Sequence, residues 1–174
     1  MLSAMLNLSS IDFAEVMATI TASSKPVSIL WQTDDTIAFV ARGRAGRSEF
    51  HVDPSDEVMY MVKGDMALHY RTPEGEEKIL TVREGEIMHC PAGTPHSPRF
   101  QPDAFVLVME RKRRPHEQDR FLWYCPSCGG QLHEAVRHVA DYRDDPVSRV
   151  YDEFYGSPSH RTCAACGHVV PRPT

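Results

Sequence analysis

The sequence predicts a mainly β fold with a small C-terminal extension stapled by a metal, and three observations carry that prediction. Short apolar runs of strand character follow one another from Val27 to Glu110, separated by turns rich in Gly, Pro and Asp. Two glycine-punctuated blocks place chemistry-bearing side chains at strand edges: His51-Val-Asp-Pro-Ser-Asp-Glu57 with Gly64, and Gly85-x5-Pro91-x-Gly93-x2-His96. After Pro115 come two Cys-x2-Cys pairs, Cys125/Cys128 and Cys163/Cys166, with 34 residues between them.

With 174 residues and 41% apolar content, one core-bearing unit plus an appendage is expected, divided as residues 1–115 and 116–174. The net charge of −5 argues against a nucleic-acid partner, since phosphate binding needs a basic footprint. No apolar run approaches the roughly 18 residues of a membrane span. The first 24 residues contain no Lys or Arg and so lack the basic start of a signal peptide, which makes a cytoplasmic location the expectation.

Taken in order, Ser9 or Ser10 is expected to cap a helix running to about Thr19, with Ile11, Val16 and Ile20 as its apolar stripe. Val27 to Gln32 and Thr36 to Ala41 read as strands divided by Asp34-Asp35. Arg42-Gly-Arg-Ala-Gly-Arg47 reads as a basic, flexible loop. Val58 to Val62, Met66 to Tyr70 and Lys78 to Val82 follow as antiparallel strands, turning at Gly64 and Gly75. Glu86 to Cys90 leads into the second block, and Cys90 reads as a buried small hydrophobe. Ala104 to Glu110 is apolar on both faces, so both are covered; Arg111-Lys-Arg-Arg114 reads as a solvated strand end. In the extension, Val147 to Tyr155 forms a helix with Val147, Val150, Tyr151 and Phe154 on one face and Gly156 as its stop.

Side chains on a strand alternate faces, so Arg47, His51 and Glu57 share one parity, with Asp53-Pro54-Ser55-Asp56 as the turn between two strands. Pro91 and Gly93 supply a tight turn presenting His96. His51, Glu57 and His96 then offer two imidazoles and a carboxylate, the ligand set of non-haem Fe(II) oxygenases. Four thiolates in Cys-x2-Cys pairs, in a chain without an export signal, read as a tetrahedral metal site rather than disulfides. Zn2+ and Fe both suit Cys125, Cys128, Cys163 and Cys166.

The two blocks resemble the signature motifs of the cupin superfamily, although Asp53 stands where the first motif has its second His. That resemblance implies a β-barrel of jelly-roll type with the metal inside. The chain further resembles the bacterial 3-hydroxyanthranilate 3,4-dioxygenase family. The matching stretches include Ile29-Leu-Trp-Gln, Arg47-Ser-Glu-Phe-His51, Pro95-His-Ser-Pro98, Val108-Met-Glu-Arg111, Trp123-Tyr-Cys125 and Arg161-Thr-Cys163 with Cys166-Gly-His168. The resemblance implies ring opening of a small aromatic aminophenol carboxylate, 3-hydroxyanthranilate, with O2 as co-substrate. Fe(II) would sit on His51, Glu57 and His96. Arg47 and Arg99 would grip the ring carboxylate, and Glu110 would accept a proton from the hydroxyl or amine. It also implies a homodimer, and a rubredoxin-like tail iron outside the catalytic cycle. A paralogue acting on another o-aminophenol or catechol, and a non-catalytic cupin binding a small carboxylate, are the competing readings.

Two departures bear on substrate handling. The family reads His-Ser-Pro-Gln-Arg where this chain reads His96-Ser-Pro-Arg99, and Pro26-Val27-Ser28 lacks a family Asn. On a regular strand the shortened spacing turns Arg99 outward. Pro98 disfavours regular pairing, so Arg99 is expected to face inward.

Overall fold

The computed structural model describes residues 9–23, 25–44, 46–140 and 146–172. Eleven strands are named: β1 Val27–Gln32, β2 Thr36–Arg42, β3 Phe50–Val52, β4 Glu57–Lys63, β5 Met66–Arg71, β6 Glu77–Val82, β7 Ile87–Cys90, β8 His96–Phe100, β9 Phe105–Arg111, β10 Asp119–Tyr124 and β11 Gln131–Arg137. They form two antiparallel sheets, one ordered β1-β2-β9-β4-β7 and the other β11-β10-β3-β8-β5-β6. The chain passes repeatedly between the sheets, and their inner faces share one apolar core. Met59 and Val106 of the first meet Met66 and Leu68 of the second. This is the expected jelly-roll barrel.

Helix α1, Phe13–Ala22, starts at Asp12, whose side chain accepts the Ala14 N–H at 2.8 Å. The cap is therefore Asp12 rather than Ser9 or Ser10, and Ile11 lies outside the helix, exposed. Ile20, Val16 and Met17 pack over Val40, Phe105 and Leu107 on the outer face of the five-stranded sheet. That cover explains why β9 is apolar on both faces: Val106 and Val108 point into the barrel, Phe105 and Leu107 under the helix.

The extension does not separate from the barrel at residue 115. β10 pairs with β3 through Arg120–Val52, Phe121–His51 and Leu122–Phe50, so the six-stranded sheet runs through the expected boundary. The composition changes there, but hydrogen bonding does not. Helix α2, Pro146–Gly156, and the short α3, Pro158–Arg161, then lie against β11. Trp123 stacks on Phe154 with centroids 4.5 Å apart, and Val150 and Phe154 are fully buried. The expected helix face is thus the one that is covered.

Candidate metal centre

Three elements from two sheets deliver the barrel cluster. His51 on β3 and His96 on β8 are cross-strand neighbours. Glu57 opens β4 on the opposite sheet. The Asp53 carboxylate fixes the intervening turn by accepting the Ser55 N–H at 2.6 Å. Gly93, at φ 78, donates its N–H to the Asp53 carbonyl at 2.8 Å and so ties the second block to the first. The ligand atoms of His51, Glu57 and His96 all lie within 4.8 Å of one another, and all three residues are buried.

The donor set fits a cation on three counts. Glu57 Oε2 is buried without a hydrogen-bond partner, although His96 Nε2 stands 2.9 Å away. The His96 Nδ1 lies 3.0 Å from the Thr94 carbonyl, a contact that needs the proton on Nδ1 and leaves a lone pair on Nε2. His51 is oriented by the Asp119 carboxylate 2.8 Å from its Nε2, an imidazole–carboxylate pair of the kind that fixes a metal-binding tautomer. Without a cation, burial opposes the Glu57 charge, but His96, His51 and Arg113 hold its pKa down at about 2. Burial likewise opposes charge on His96, and the Glu57 carboxylate raises it well above the ordinary imidazole value. The pair is therefore stable only with positive charge in the site.

Beneath the cluster lies a buried network that charge patterning does not reveal. Arg113 is 7% exposed, which corrects the solvated reading of the 111–114 run. Its guanidinium donates to Asp53 Oδ2 at 2.5 Å, Glu110 Oε1 at 2.9 Å and Asp119 Oδ1 at 2.6 Å. Asp53 thus serves the turn and Arg113. Burial opposes the Asp119 charge, but His51 and Arg113 hold its pKa below the usual range. Glu110 sits opposite Glu57 across β4 and β9, with its Oε2 buried and unpartnered. Its pKa is raised well above the ordinary value by burial, which outweighs Arg113, with Glu57 and Asp53 adding repulsion.

The cluster opens on a cavity of ≈ 110 Å3 with Phe39, Val108 and Phe121 among its apolar lining. Arg47 faces it, as its parity predicts. Glu49 shares that parity and also lines it, fully buried; the alternation that selects Arg47 selects Glu49 as well. Arg47 Nε and Glu49 Oε1 are 2.7 Å apart but off the N–H direction, an ion pair rather than a hydrogen bond. Tyr151 of α2 donates its hydroxyl to Glu49 Oε2 and lines the cavity with Val147, so the extension closes one side of the site.

Arg99 is not there. On β8 the cavity side is taken by His96, Pro98 and Phe100. Arg99 projects from the other face, its Nε donating to Ser97 Oγ at 3.3 Å and its guanidinium 5.7 Å from the Phe50 ring. The expected inward Arg99 is overturned for a specific reason. β8 stays regular through Pro98, which pairs with Leu68 of β5, while β3 pairs with β8 at His96 alone. The missing N–H of Pro98 therefore faces no ladder partner, and no bulge forms to turn Arg99 round.

In the extension, Cys125 and Cys166 sulfurs are 3.7 Å apart and Cys128 and Cys163 sulfurs 3.5 Å apart, with all four within 4.8 Å. A tetrahedron of sulfurs about 2.3 Å from a central ion has edges of roughly 3.7–3.8 Å. Two equivalent knuckles shape it: Gly129 N–H donates to the Cys125 carbonyl and Gly167 N–H to the Cys163 carbonyl, each glycine at φ 73. N–H groups of Cys166 and Ala165 lower the Cys163 thiol to about 7. The Gly130 N–H lowers Cys128, but the other three sulfurs push it up to about 12, so a cation among the sulfurs would favour its thiolate.

A family model described as 3-hydroxyanthranilic acid dioxygenase matches residues 5–155. A curated 3-hydroxyanthranilate 3,4-dioxygenase from Bacillus cereus is 36% identical over 143 residues, 82% of this chain and 79% of that one. One from Xanthomonas campestris pv. campestris is 38% identical over 142 residues, 82% of this chain and 80% of that one. A solved cupin-2 domain protein from Shewanella frigidimarina aligns with TM-score 0.46 at 17% identity, covering 59% of this chain and 94% of that one.

Proposed function

The chain belongs to the 3-hydroxyanthranilic acid dioxygenase family, and from that premise we propose that it opens the ring of 3-hydroxyanthranilate with O2, giving 2-amino-3-carboxymuconate semialdehyde. The observation that carries the reading is the buried His51–Glu57–His96 cluster at one end of a cavity with an apolar wall. These three residues would hold Fe(II), which when bound would supply a redox-active cation for the reaction between the ring and O2. The four cysteines hold a second metal, iron or zinc.

The protein's own groups orient the ring and manage its proton. Phe39, Val108 and Phe121 enclose the ring's apolar faces and exclude water. Arg47, held in place by Glu49, turns its charge toward the ring carboxylate. Glu110 uses its unpartnered Oε2 to accept the proton released from the hydroxyl, while Arg113 keeps the rest of that carboxylate fixed. Deprotonation makes the ring electron-rich, which is what attack by O2 requires.

The test is to load metal-free protein with Fe(II) anaerobically, then admit air and 3-hydroxyanthranilate. The expected result is one O2 consumed per substrate with a new absorption from the ring-opened product. His96→Ala should abolish both and lower the iron at the barrel. No oxygen uptake by wild-type protein with iron at the barrel would sink the reading, and near-normal turnover by the His96 variant would sink the ligand assignment.

A further inference from the structure

We propose that Arg42 is a carboxylate-binding residue of this cavity and so determines its specificity, taking over a contact that Arg99 cannot make. This rests on the aminophenol carboxylate reading above. Sequence patterning reads Arg42 as part of a flexible loop, but its backbone is fixed on both sides. Its N–H donates to the Pro26 carbonyl at 2.8 Å, and the next N–H, of Gly43, donates to the Ala104 carbonyl at 3.1 Å. Gly43 is buried so tightly that a Cβ there would lie 2.0 Å from the Gln101 carbonyl oxygen and 2.5 Å from that of Phe100. Only glycine permits this approach, and it seats the end of β2 against the β8–β9 connection, at the cavity.

Arg42 lines that cavity, and its Nε is buried with no hydrogen-bond partner. Among the described residues its guanidinium has no carboxylate partner. Arg42 is half-buried, and its Nε is shielded from water without a partner, so an anion entering the cavity would supply a contact that the protein does not. Two other arginines line the cavity, Arg44 and Arg47; Arg44 has an interaction of its own, and Arg47 already faces Glu49 at 2.7 Å, while Glu49 in turn holds the Tyr151 hydroxyl. Arg47's charge is therefore largely answered within the protein, while that of Arg42 is not. A divalent cation on the His51 cluster would add to the positive potential. Arg99 points to the opposite face of β8, and the cavity-side neighbour at position 100 is phenylalanine, which offers no charge. The chemistry thus favours an aromatic ligand with a carboxylate that meets Arg42 through paired N–H···O bonds.

The experiment compares wild type with Arg42→Gln, Arg42→Lys and Arg99→Gln, each checked for thermal midpoint and barrel iron. Two readouts are taken: kinetics of the Fe(II) enzyme on 3-hydroxyanthranilate and on 2-aminophenol, which lacks the carboxylate, and calorimetric binding of anthranilate and aniline to metal-free protein. Arg42→Gln should raise KM for 3-hydroxyanthranilate roughly 10- to 150-fold, the loss of one charge-assisted contact. It should weaken anthranilate by a similar factor and leave 2-aminophenol turnover unchanged, with Arg42→Lys recovering part of the loss and Arg99→Gln neutral. An Arg42→Gln KM within twofold of wild type, or equal losses on both substrates in folded, iron-replete protein, overturns the proposal. So does wild-type protein that binds anthranilate no better than aniline. Anthranilate binding is independent of turnover, so failure of the dioxygenase reading would show as absent oxygen uptake with the Arg42-dependent binding intact.

Discussion

At the scale of single residues, Arg113 carries the most consequence. It stands against Asp53, Glu110 and Asp119, all buried. Removing one partner from a buried charge network leaves the others uncompensated, which costs about 3–5 kcal/mol. Arg113→Met should lower stability by that order in urea titrations, whereas Arg114→Met, exposed one position away, should change it by no more than about 0.5 kcal/mol. Equal small effects at both positions would return the whole run to the solvated reading. The imidazole beside Glu57 makes a second prediction. Because Glu57 raises the His96 pKa in metal-free protein, the proton held there must leave before a cation can bind. Metal uptake at pH 7 should therefore release about one proton, and affinity should fall as pH is lowered. Titrating Zn2+ or Co2+ into weakly buffered protein whose four-cysteine site is already filled, with the His96→Ala variant as reference, and following pH checks this; barrel uptake without proton release would contradict it.

At the scale of elements, α2 is the one whose role changes between sequence and structure. Its apolar face is legible from the spacing of Val147, Val150, Tyr151 and Phe154. What lies opposite that face is not, because it depends on β10 and β11 arriving from the six-stranded sheet. Tyr151 reaches Glu49 at the cavity, and Ser48 is pinned by the Tyr151 hydroxyl at 2.9 Å and by Trp123 Nε1 at 3.2 Å. The four-cysteine cluster, joining the segments on either side of α2, therefore helps to hold the wall of the active cavity. Cys163→Ser should lower the melting temperature, roughly 2–4 °C for each kcal/mol lost, and should also raise KM while barrel iron stays in place. This departs from the expectation of a purely structural staple. Unchanged KM in folded protein would restore that expectation. Tyr151→Phe isolates these contacts: losing both hydrogen bonds of the hydroxyl, to Glu49 and from the Ser48 N–H, should cost about 1–3 kcal/mol and shift KM in the same direction.

At the scale of the whole molecule, the barrel and extension depend on each other through three residues. β3 meets β8 only at His51–His96, and its three other-side pairs are all with β10. A chain ending at residue 115 would leave the His51 strand with almost no partner on that side and would remove Asp119, which orients the His51 ring. Such a fragment should be poorly soluble and should bind metal at the barrel far more weakly than the full chain. A well-folded fragment with full barrel metal would reinstate the boundary at 115.

How much of this was legible beforehand follows the range of the forces involved. The strands, their turns, the facing imidazoles and carboxylate, the thiolate pairs and the apolar face of α2 are written in local alternation and spacing, so the sequence determined them. Asp53 in place of a histidine, and the shortened His96-to-Arg99 interval, were visible as departures without revealing their effect. The tertiary structure alone decided that Arg99 faces away, because that depended on β3 ending opposite Pro98 and leaving β8 regular. It alone buried Arg113 and joined Asp119 to His51 across 68 positions. Charge is read from a sequence residue by residue, but whether water or three carboxylates surround it depends on strands that meet only when the sheets close.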